Sequence, residues 1–291
     1  MANVELVARG VGAWRQRRRT RRSVNMWIGL ALLAPVAVMT LVSAFWTPAS
    51  PTRTAARERL LGAGSPGHLL GTDHLGRDEL SMLMAGAMTS FQIAILGTAF
   101  GLLVGVAIGG LSAMIGTFFD DALMRVCDVL FAFPSVILAM VLAAGMGAGK
   151  DTVVIAIALT VGPAIARLVR SVTTQVLHRD FIAAARGYGR GKAYIFVRHV
   201  LPNISSALIV TAATVFSSSI LTDASLSYLG VGTQPPGVSW GRMLNDAQAN
   251  VAVQPMLAIW PGLAIVICVL GLSLIGDGLR DRFDVKGRAR L

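Results

Sequence analysis

Cysteine is scarce in this sequence, which has only Cys127 and Cys268 among its 291 residues. Both lie inside long apolar segments, where a cysteine usually acts as a small hydrophobic residue. Two cysteines placed in this way indicate neither a disulfide framework nor a metal-binding pair. The sequence therefore predicts a structural role for both.

The sequence also lacks a phosphate-binding loop, although residues 145–150 approach that pattern with GMGAGK. Asp151 follows where the pattern needs Ser or Thr, and Ala144 stands in place of its first Gly. A glycine-rich stretch between two apolar segments is typical of a tight turn. The chain thus carries no recognisable ATP-binding motif of its own.

Apolar residues, in contrast, are abundant: they make up 54% of the chain, whose mean hydropathy is +0.66. A helix that crosses about 30 Å of hydrocarbon needs about 20 mostly apolar residues. Six windows fit this requirement: 26–45, 91–115, 123–144, 152–168, 204–225 and 256–275. The first is too long for a signal peptide and has no clean cleavage site after it. The sequence predicts an all-α membrane protein of about six transmembrane helices.

The 26 Lys and Arg residues are distributed unevenly around these windows. With a cytoplasmic N-terminus, the opposite side receives only Arg53, Arg57, Arg59, Arg77, Lys150 and Arg242. Because cytoplasmic loops accumulate Lys and Arg, both termini are predicted to be cytoplasmic. The same signal explains the basic run at 15–22, with binding to anionic membrane lipid as the alternative. The net charge of +11 therefore does not call for a nucleic-acid partner.

This topology divides the chain into five parts. They are a basic cytoplasmic tail (1–25), a first transmembrane helix (26–46), an extracytoplasmic loop (47–88), a five-helix core (89–280) and a cytoplasmic tail (281–291). The core contains a cytoplasmic loop (170–203) and a second extracytoplasmic loop (226–255).

Acidic residues and histidines are missing from the centres of the predicted spans. A proton-coupled transporter needs such groups at mid-membrane, so self-powered secondary transport is disfavoured. Asp128 and Asp223 lie nearer span ends, where the alternative to lining a polar cavity is an interfacial or capping role. The candidate residues of a substrate pathway are Asp128, Ser135, Ser218, Thr222 and Asp223.

Glycines recur every four residues in the second span, at Gly97, Gly101, Gly105 and Gly109. This period places all four on one helical face. A second helix can approach such a face closely. The pattern predicts helix packing and does not distinguish a transporter from a channel or a scaffold.

The first extracytoplasmic loop contains the stretch GTDHLGRD at residues 71–78. A metal site built from His68, Asp73, His74 and Asp78 is one hypothesis, but the spacing matches no standard ligand pattern. Asp and Thr also hold turns and cap helices, here a helix beginning near Asp78. We favour this structural role and expect no metal in the chain.

The cytoplasmic segment 180–203 has the pattern of two short helices joined by a turn. Three consecutive alanines at 183–185 favour a helix, Gly189 and Gly191 interrupt it, and Pro202 can begin the next helix. Phe181, Tyr188 and Tyr194 add apolar bulk that no other cytoplasmic domain covers. Exposed apolar surface of this kind usually contacts a partner.

This segment resembles the coupling-loop signature of ATP-binding-cassette (ABC) importer permeases. That signature has Glu-Ala-Ala, three residues, Gly, nine residues, an apolar residue, one residue and Leu-Pro, and Gly189 and Pro202 fall in register with it. Ala183 stands where Glu is usual and His199 where an aliphatic residue is usual. We therefore expect docking by shape and apolar contact more than by a charge pair. The candidate docking residues are Ala183, Ala184, Ala185, Arg186, Tyr188, Gly189, Arg190, Tyr194, His199, Leu201 and Pro202.

Further blocks resemble one branch of these permeases, the second (C-type) permease subunit of the dipeptide/oligopeptide/nickel importers. The blocks are residues 71–78, 124–135, 224–244 and 276–284. The resemblance implies the ABC type I importer permease fold and a multi-pass location in the cell membrane of a prokaryote.

The resemblance also implies a set of partners. They are a homologous second permease subunit, ABC ATPase subunits that use ATP and Mg²⁺, and an extracytoplasmic substrate-binding protein. The chain itself would hold no cofactor and would not be an enzyme. Short peptides are favoured over nickel as the substrate. Functions of other classes that stay open are a self-contained channel or secondary transporter and a membrane scaffold.

Overall fold

The computed structural model describes residues 24–288, apart from the side chains of 117 and 284–288. The predicted tail 1–25 and the end of the tail 281–291 therefore lie largely outside the described residues. The helices are α1 (Val24–Ser43), α2 (Glu79–Ile115), α3 (Thr117–Ala132), α4 (Ser135–Met146), α5 (Lys150–Leu177), α6 (Asp180–Gly187), α7 (Lys192–Ile195), α8 (Leu201–Tyr228), α9 (Trp240–Ala247) and α10 (Met256–Arg288). The described part contains no β-strand beyond two isolated bridges.

Five helices in the described chain are long and apolar enough to cross a membrane, and the bent pair α3–α4 makes up to six if it counts as one span. The predicted all-α fold with about six spans agrees with this count. The predicted third span at 123–144 is divided between α3 and α4, which meet at 93°. Phe133 has an extended backbone (φ −88°, ψ 128°) before Pro134. The proline ring disfavours a helical conformation at the preceding residue, which explains the break.

Several helices extend beyond the apolar windows. α2 has 37 residues and begins after Asp78, whose side chain accepts a hydrogen bond from Ser81 N at 2.9 Å. Residues 79–88 of the predicted loop 47–88 therefore belong to α2. α5 continues to Leu177, so that much of the predicted loop 170–203 is helical. Beyond its window α5 continues with polar and charged residues, whereas the first turns of α2 mix Glu79 and Ser81 with apolar residues.

The centre of the bundle is the contact between α2 and α5. A Cβ built on Gly105 would lie 2.6 Å from Cβ of Ile165, and one built on Gly109 would lie 2.3 Å from the carbonyl oxygen of Ala166. The corresponding atoms on Gly97 and Gly101 would lie 2.7 Å and 3.2 Å from side chains of α5. The glycine face thus lies directly against α5, at a separation that a larger residue does not allow.

Loops that are distant in sequence meet at one end of the bundle. Arg77 contacts Asp246 at 3.0 Å, and Gln254 donates a hydrogen bond to the Leu61 carbonyl at 2.7 Å. Trp240 at the start of α9 is fully buried, and its Nε1 donates to the Leu83 carbonyl at 3.0 Å. The short helices α6 and α7 lie at the opposite end.

Candidate functional site

The helices α6 and α7 are held against the bundle by a small apolar core. Ile182 and Ile195 are buried in the same cluster as Ile165 and Val169 of α5 and Ile204 of α8. Ala185, one of the candidate docking residues, is also buried there. Its side chain packs inward, so it supports the docking surface without being part of it.

The opposite side of α6 faces outward. Tyr188 is the most open large residue of this region, with 87% of its surface exposed, and Phe181 and Tyr194 are each 43% exposed. Ala183, Ala184, Arg186 and Arg190 are exposed as well. These residues form one accessible surface that combines apolar bulk with two positive charges.

Gly189 ends α6 through its backbone conformation. Its φ of +74° lies in the left-handed region. The N–H of Arg190 donates a hydrogen bond to the Ala185 carbonyl at 3.2 Å, and the N–H of Gly189 donates one to the Arg186 carbonyl at 2.9 Å. These two bonds define a Schellman motif, the usual glycine termination of a helix. A Cβ on Gly189 would meet no atom within 4 Å, so the chain itself leaves the space above it open.

His199 packs between aromatic rings. Its ring centroid lies 5.8 Å from that of Tyr194 and 6.3 Å from that of Phe181. The guanidinium of Arg190 lies 4.7 Å from the centroid of the Tyr194 ring. His199 therefore fills, with an aromatic ring, the position at which the resembled signature has an aliphatic residue.

The second half of the predicted coupling loop is continuous with a long apolar helix. Residues 196–200 form one turn of π-helix, in which the N–H of Leu201 bonds the Phe196 carbonyl. Pro202 follows and has no N–H to donate. α7, this π turn and α8 form one helix of 37 residues from Lys192 to Tyr228. The segment around α7 is thereby joined to a long apolar helix without an intervening loop.

The pathway candidates are not gathered at one point. Asp128 of α3 forms an ion pair with Arg167 of α5 at 2.6 Å. Ser135 is half-buried at the start of α4, whereas Ser218 and Thr222 lie along the accessible side of α8. Asp223 is fully buried, and its Oδ1 accepts a hydrogen bond from Ser227 at 3.1 Å. Asp223 therefore lies inside this subunit and not on the accessible side that Ser218 occupies.

Sequence reasoning counted Arg167 only as a basic residue of the cytoplasmic side. In the structure its guanidinium lies 4.6 Å from the centroid of the Phe131 ring, beside its ion pair with Asp128. A second pair links α5 to α3 through Arg170 and Asp120, and Asp120 also accepts a hydrogen bond from Ser112 of α2. The sequence signal for such pairing is a positive and a negative residue near the ends of two successive spans.

The acidic and histidine residues of the loop between α1 and α2 bond to one another and to the backbone. His68 Nδ1 lies 2.9 Å from Asp78 Oδ1, and Asp73 accepts from the backbone N–H of Arg77 at 2.7 Å. No group of three or more His, Cys, Asp or Glu residues is arranged to hold a metal ion in the part of the chain that the structure covers. The arrangement is that of a hydrogen-bonded loop.

Arg77, which the sequence reading passed over, is the centre of this loop. Its side chain is buried between Asp73, at 2.6 Å, and Asp246 of α9, at 3.0 Å. Burial alone lowers the pKa of Arg77, but the bonds to both carboxylates raise it above its ordinary value, so the guanidinium remains charged. Arg77 thus ties the loop between α1 and α2 to α9.

The described chain is thus a bundle of long apolar helices, with the exposed surface of α6 at one end and a set of loops tied together at the other. Residues 101–288 match the family described as the binding-protein-dependent transport system inner membrane component. The chain belongs to this family and is a permease subunit of an ABC importer.

Two curated relatives cover nearly the whole chain. The glutathione transport system permease protein GsiD of Pectobacterium atrosepticum is 39% identical over 279 residues, which are 94% of this chain and 91% of the relative. GsiD of Escherichia coli O6:K15:H31 is 38% identical over 278 residues, 94% of this chain and 89% of the relative. Both support the predicted peptide/nickel branch of the permeases.

The fold has a counterpart among solved structures. An inward-facing conformation of the MetNI methionine ABC transporter matches with a TM-score of 0.57 and 18% identity, over 67% of this chain and 93% of that chain. At this identity the match concerns the fold alone, which is that of ABC importer permeases. The bacterial relatives and the apolar helices place the chain in the cell membrane as a multi-pass protein.

Proposed function

We propose that this permease subunit moves a small peptide, glutathione or one of similar chemistry, and that it receives energy through the surface around Tyr188 and Gly189. In this proposal an ABC ATPase subunit docks on α6, and the continuous helix from α7 to α8 carries its movement into the bundle. The chain itself catalyses no reaction.

The observation that carries the docking proposal is the outward face of α6. Tyr188 is 87% exposed beside an uncovered Gly189 whose Cβ position is free of contacts. An exposed aromatic residue next to open backbone is suited to insertion into a groove of a partner, where a few such residues supply most of the binding energy. Arg186 and Arg190 at its edge would steer the approach of an acidic partner surface.

The partners follow from the family and from the two ends of the bundle. ATPase subunits, binding ATP and Mg²⁺, would lie at the coupling-loop end, which is then cytoplasmic together with both termini. A substrate-binding protein would approach the opposite end, where Arg77 ties the loops. A homologous second permease subunit would complete the pathway beside Asp128, Ser135, Ser218 and Thr222.

A peptide substrate is supported by the relatives named for glutathione transport. Glutathione is itself a small peptide with carboxylate and amino groups. The relatives reported above are not named for nickel. A short peptide is therefore the substrate class that we propose.

The test uses the full transporter in proteoliposomes: this chain, a second permease subunit, the ATPase subunits and the binding protein. Gly189→Trp places a bulky side chain where the partner would sit and strains a left-handed backbone. We expect loss of the ATPase subunit on purification and loss of ATP-driven peptide uptake, with membrane insertion intact.

Gly64→Trp is the matched control. Gly64 also has a positive φ, of 82°, and an open Cβ position, but it lies in the first extracytoplasmic loop. It should retain the ATPase subunit. Retention of the ATPase by Gly189→Trp with undiminished uptake would overturn the docking site, and wild-type uptake of nickel but of no peptide would overturn the substrate class.

A further inference from the structure

The ion pair between Arg167 and Asp128 is open to the outside of this chain although both residues belong to helices of the bundle. In the described chain 45% of the Arg167 side chain and 63% of the Asp128 side chain are exposed. Arg167 lies about 26 Å along α5 from Lys150, at 1.5 Å per residue. Charged side chains within spans almost always face the bundle interior or a water-filled cavity. The distance from Lys150 places Arg167 near one end of its span, so the exposed pair lies where the bundle meets water or another polar surface and not at the centre of the hydrocarbon.

The chemistry of the pair leaves binding capacity unused. Arg167 has five N–H donors in a fixed fork, and its one hydrogen bond to another described residue goes to Asp128. The ring of Phe131 supports the guanidinium plane at 4.6 Å. The free edge of the fork suits a carboxylate, which Arg binds through two parallel hydrogen bonds. The second oxygen of Asp128 is equally suited to an ammonium group.

We propose that Arg167 and Asp128 form a recognition point on the translocation pathway for the carboxylate and ammonium groups of a small peptide. This inference rests on the proposed function. The arriving peptide would exchange partners with the pair: its carboxylate replaces Asp128 on Arg167, and its ammonium group approaches Asp128. Each charge keeps an opposite charge beside it throughout the exchange, so neither is left unpaired on the pathway.

A neighbouring ion pair on the same two helices has a different environment and serves as the control. Arg170 pairs with Asp120, which also accepts a hydrogen bond from Ser112 of α2. The Asp120 side chain is only 16% exposed. This pair therefore ties three helices together, so its loss should weaken the fold without changing which solute is recognised.

The experiment measures peptide molecules moved per ATP hydrolysed, in the reconstituted full transporter with saturating loaded binding protein. The solutes are a tripeptide, its C-terminal amide and its N-acetyl form. For Arg167→Gln we expect this ratio to fall about tenfold for the free tripeptide. A fall of that size corresponds to the loss of one charge-assisted hydrogen bond between the guanidinium and the peptide carboxylate. The ratio for the C-terminal amide should hardly change, since the amide lacks the carboxylate. Arg170→Gln should lower thermal stability and leave the ratio as in the wild type.

Exchanging the two charges, with Arg167→Asp and Asp128→Arg together, separates recognition from structure. The exchanged pair restores an ion pair between α3 and α5 but presents each charge from the other helix. A persistent defect with the second permease still bound supports the proposal. Recovery of the wild-type ratio, an equal fall for all three solutes, or loss of the second permease subunit would overturn it. Absence of ATP-driven uptake by the wild type would instead count against the proposed function.

Discussion

Replacing Gly105 by Ala should separate the two central helices. The added Cβ would lie 2.6 Å from Cβ of Ile165 and 2.8 Å from the carbonyl oxygen of Gly162, whereas carbon atoms in contact are normally about 3.5–4.0 Å apart. Neither obstacle can rotate away, because one is a backbone atom and the other is a Cβ fixed to its own backbone. α2 and α5 must therefore move apart by about 1 Å and lose part of their dispersion contact.

The expected cost of this overpacking is about 1–3 kcal/mol, and we place it at the upper end because a backbone atom is involved. In thermal unfolding of the purified subunit, followed by tryptophan fluorescence, each kcal/mol corresponds to roughly 2–4 °C in a chain somewhat smaller than this one. Gly105→Ala should thus lower Tm by several degrees. Gly101→Ala, whose Cβ would lie 3.2 Å from Val161, should lower it less.

Gly145→Ala is the control for the change itself. Gly145 belongs to α4 and has no atom within 4 Å of its Cβ position, so alanine there adds helix propensity without a clash. Its Tm should equal or exceed that of the wild type. Equal Tm values for Gly105→Ala and Gly145→Ala would refute the close approach of α2 and α5.

Two further substitutions test the ends of the bundle. Arg77→Met leaves the Asp73 carboxylate, which is 5% exposed, without its cation, whereas Asp246 keeps Arg242 at 2.8 Å. The cost in unfolding experiments should therefore be about 3 kcal/mol, the lower end for a broken buried pair. Exposed Arg57→Gln should cost almost nothing, and equal effects would contradict the tie. His199→Leu should keep the coupling loop packed, because an aliphatic side chain fills the same space between the rings of Tyr194 and Phe181. Retention of the ATPase subunit should therefore stay near that of the wild type. A clear loss of retention would show that the imidazole is needed.

The number of spans could be predicted from hydropathy, because crossing hydrocarbon demands a run of apolar residues whatever the fold. The bend between α3 and α4 could not, since an averaged window passes smoothly over Phe133 and Pro134. The proline itself was the available signal. The same averaging missed the first turns of α2 and the last turns of α5, where polar and charged residues lie within the helix.

The candidate sites divide in a similar way. The turn at Gly189 was visible in the sequence because a left-handed helix termination needs glycine. The inward direction of Ala185 was not, since a signature records residue types and not the face of a short helix. Arg167 and Asp128 are separated by a helix and a turn in sequence, and only the crossing of α3 over α5 brings them together. The tie from Arg77 to Asp246 likewise depends on where α9 comes to lie.

The continuous helix from Lys192 to Tyr228 has a mechanical consequence. At 1.5 Å per residue, the part before Leu201 measures roughly 14 Å and the part after it roughly 40 Å. If the helix pivots at the π turn and stays straight, its far end travels about three times as far as its near end. The helix then acts as a lever with a short arm and a long arm. A displacement of an ångström or two at its short end, beside Tyr188, becomes a movement about three times larger at its far end near Tyr228.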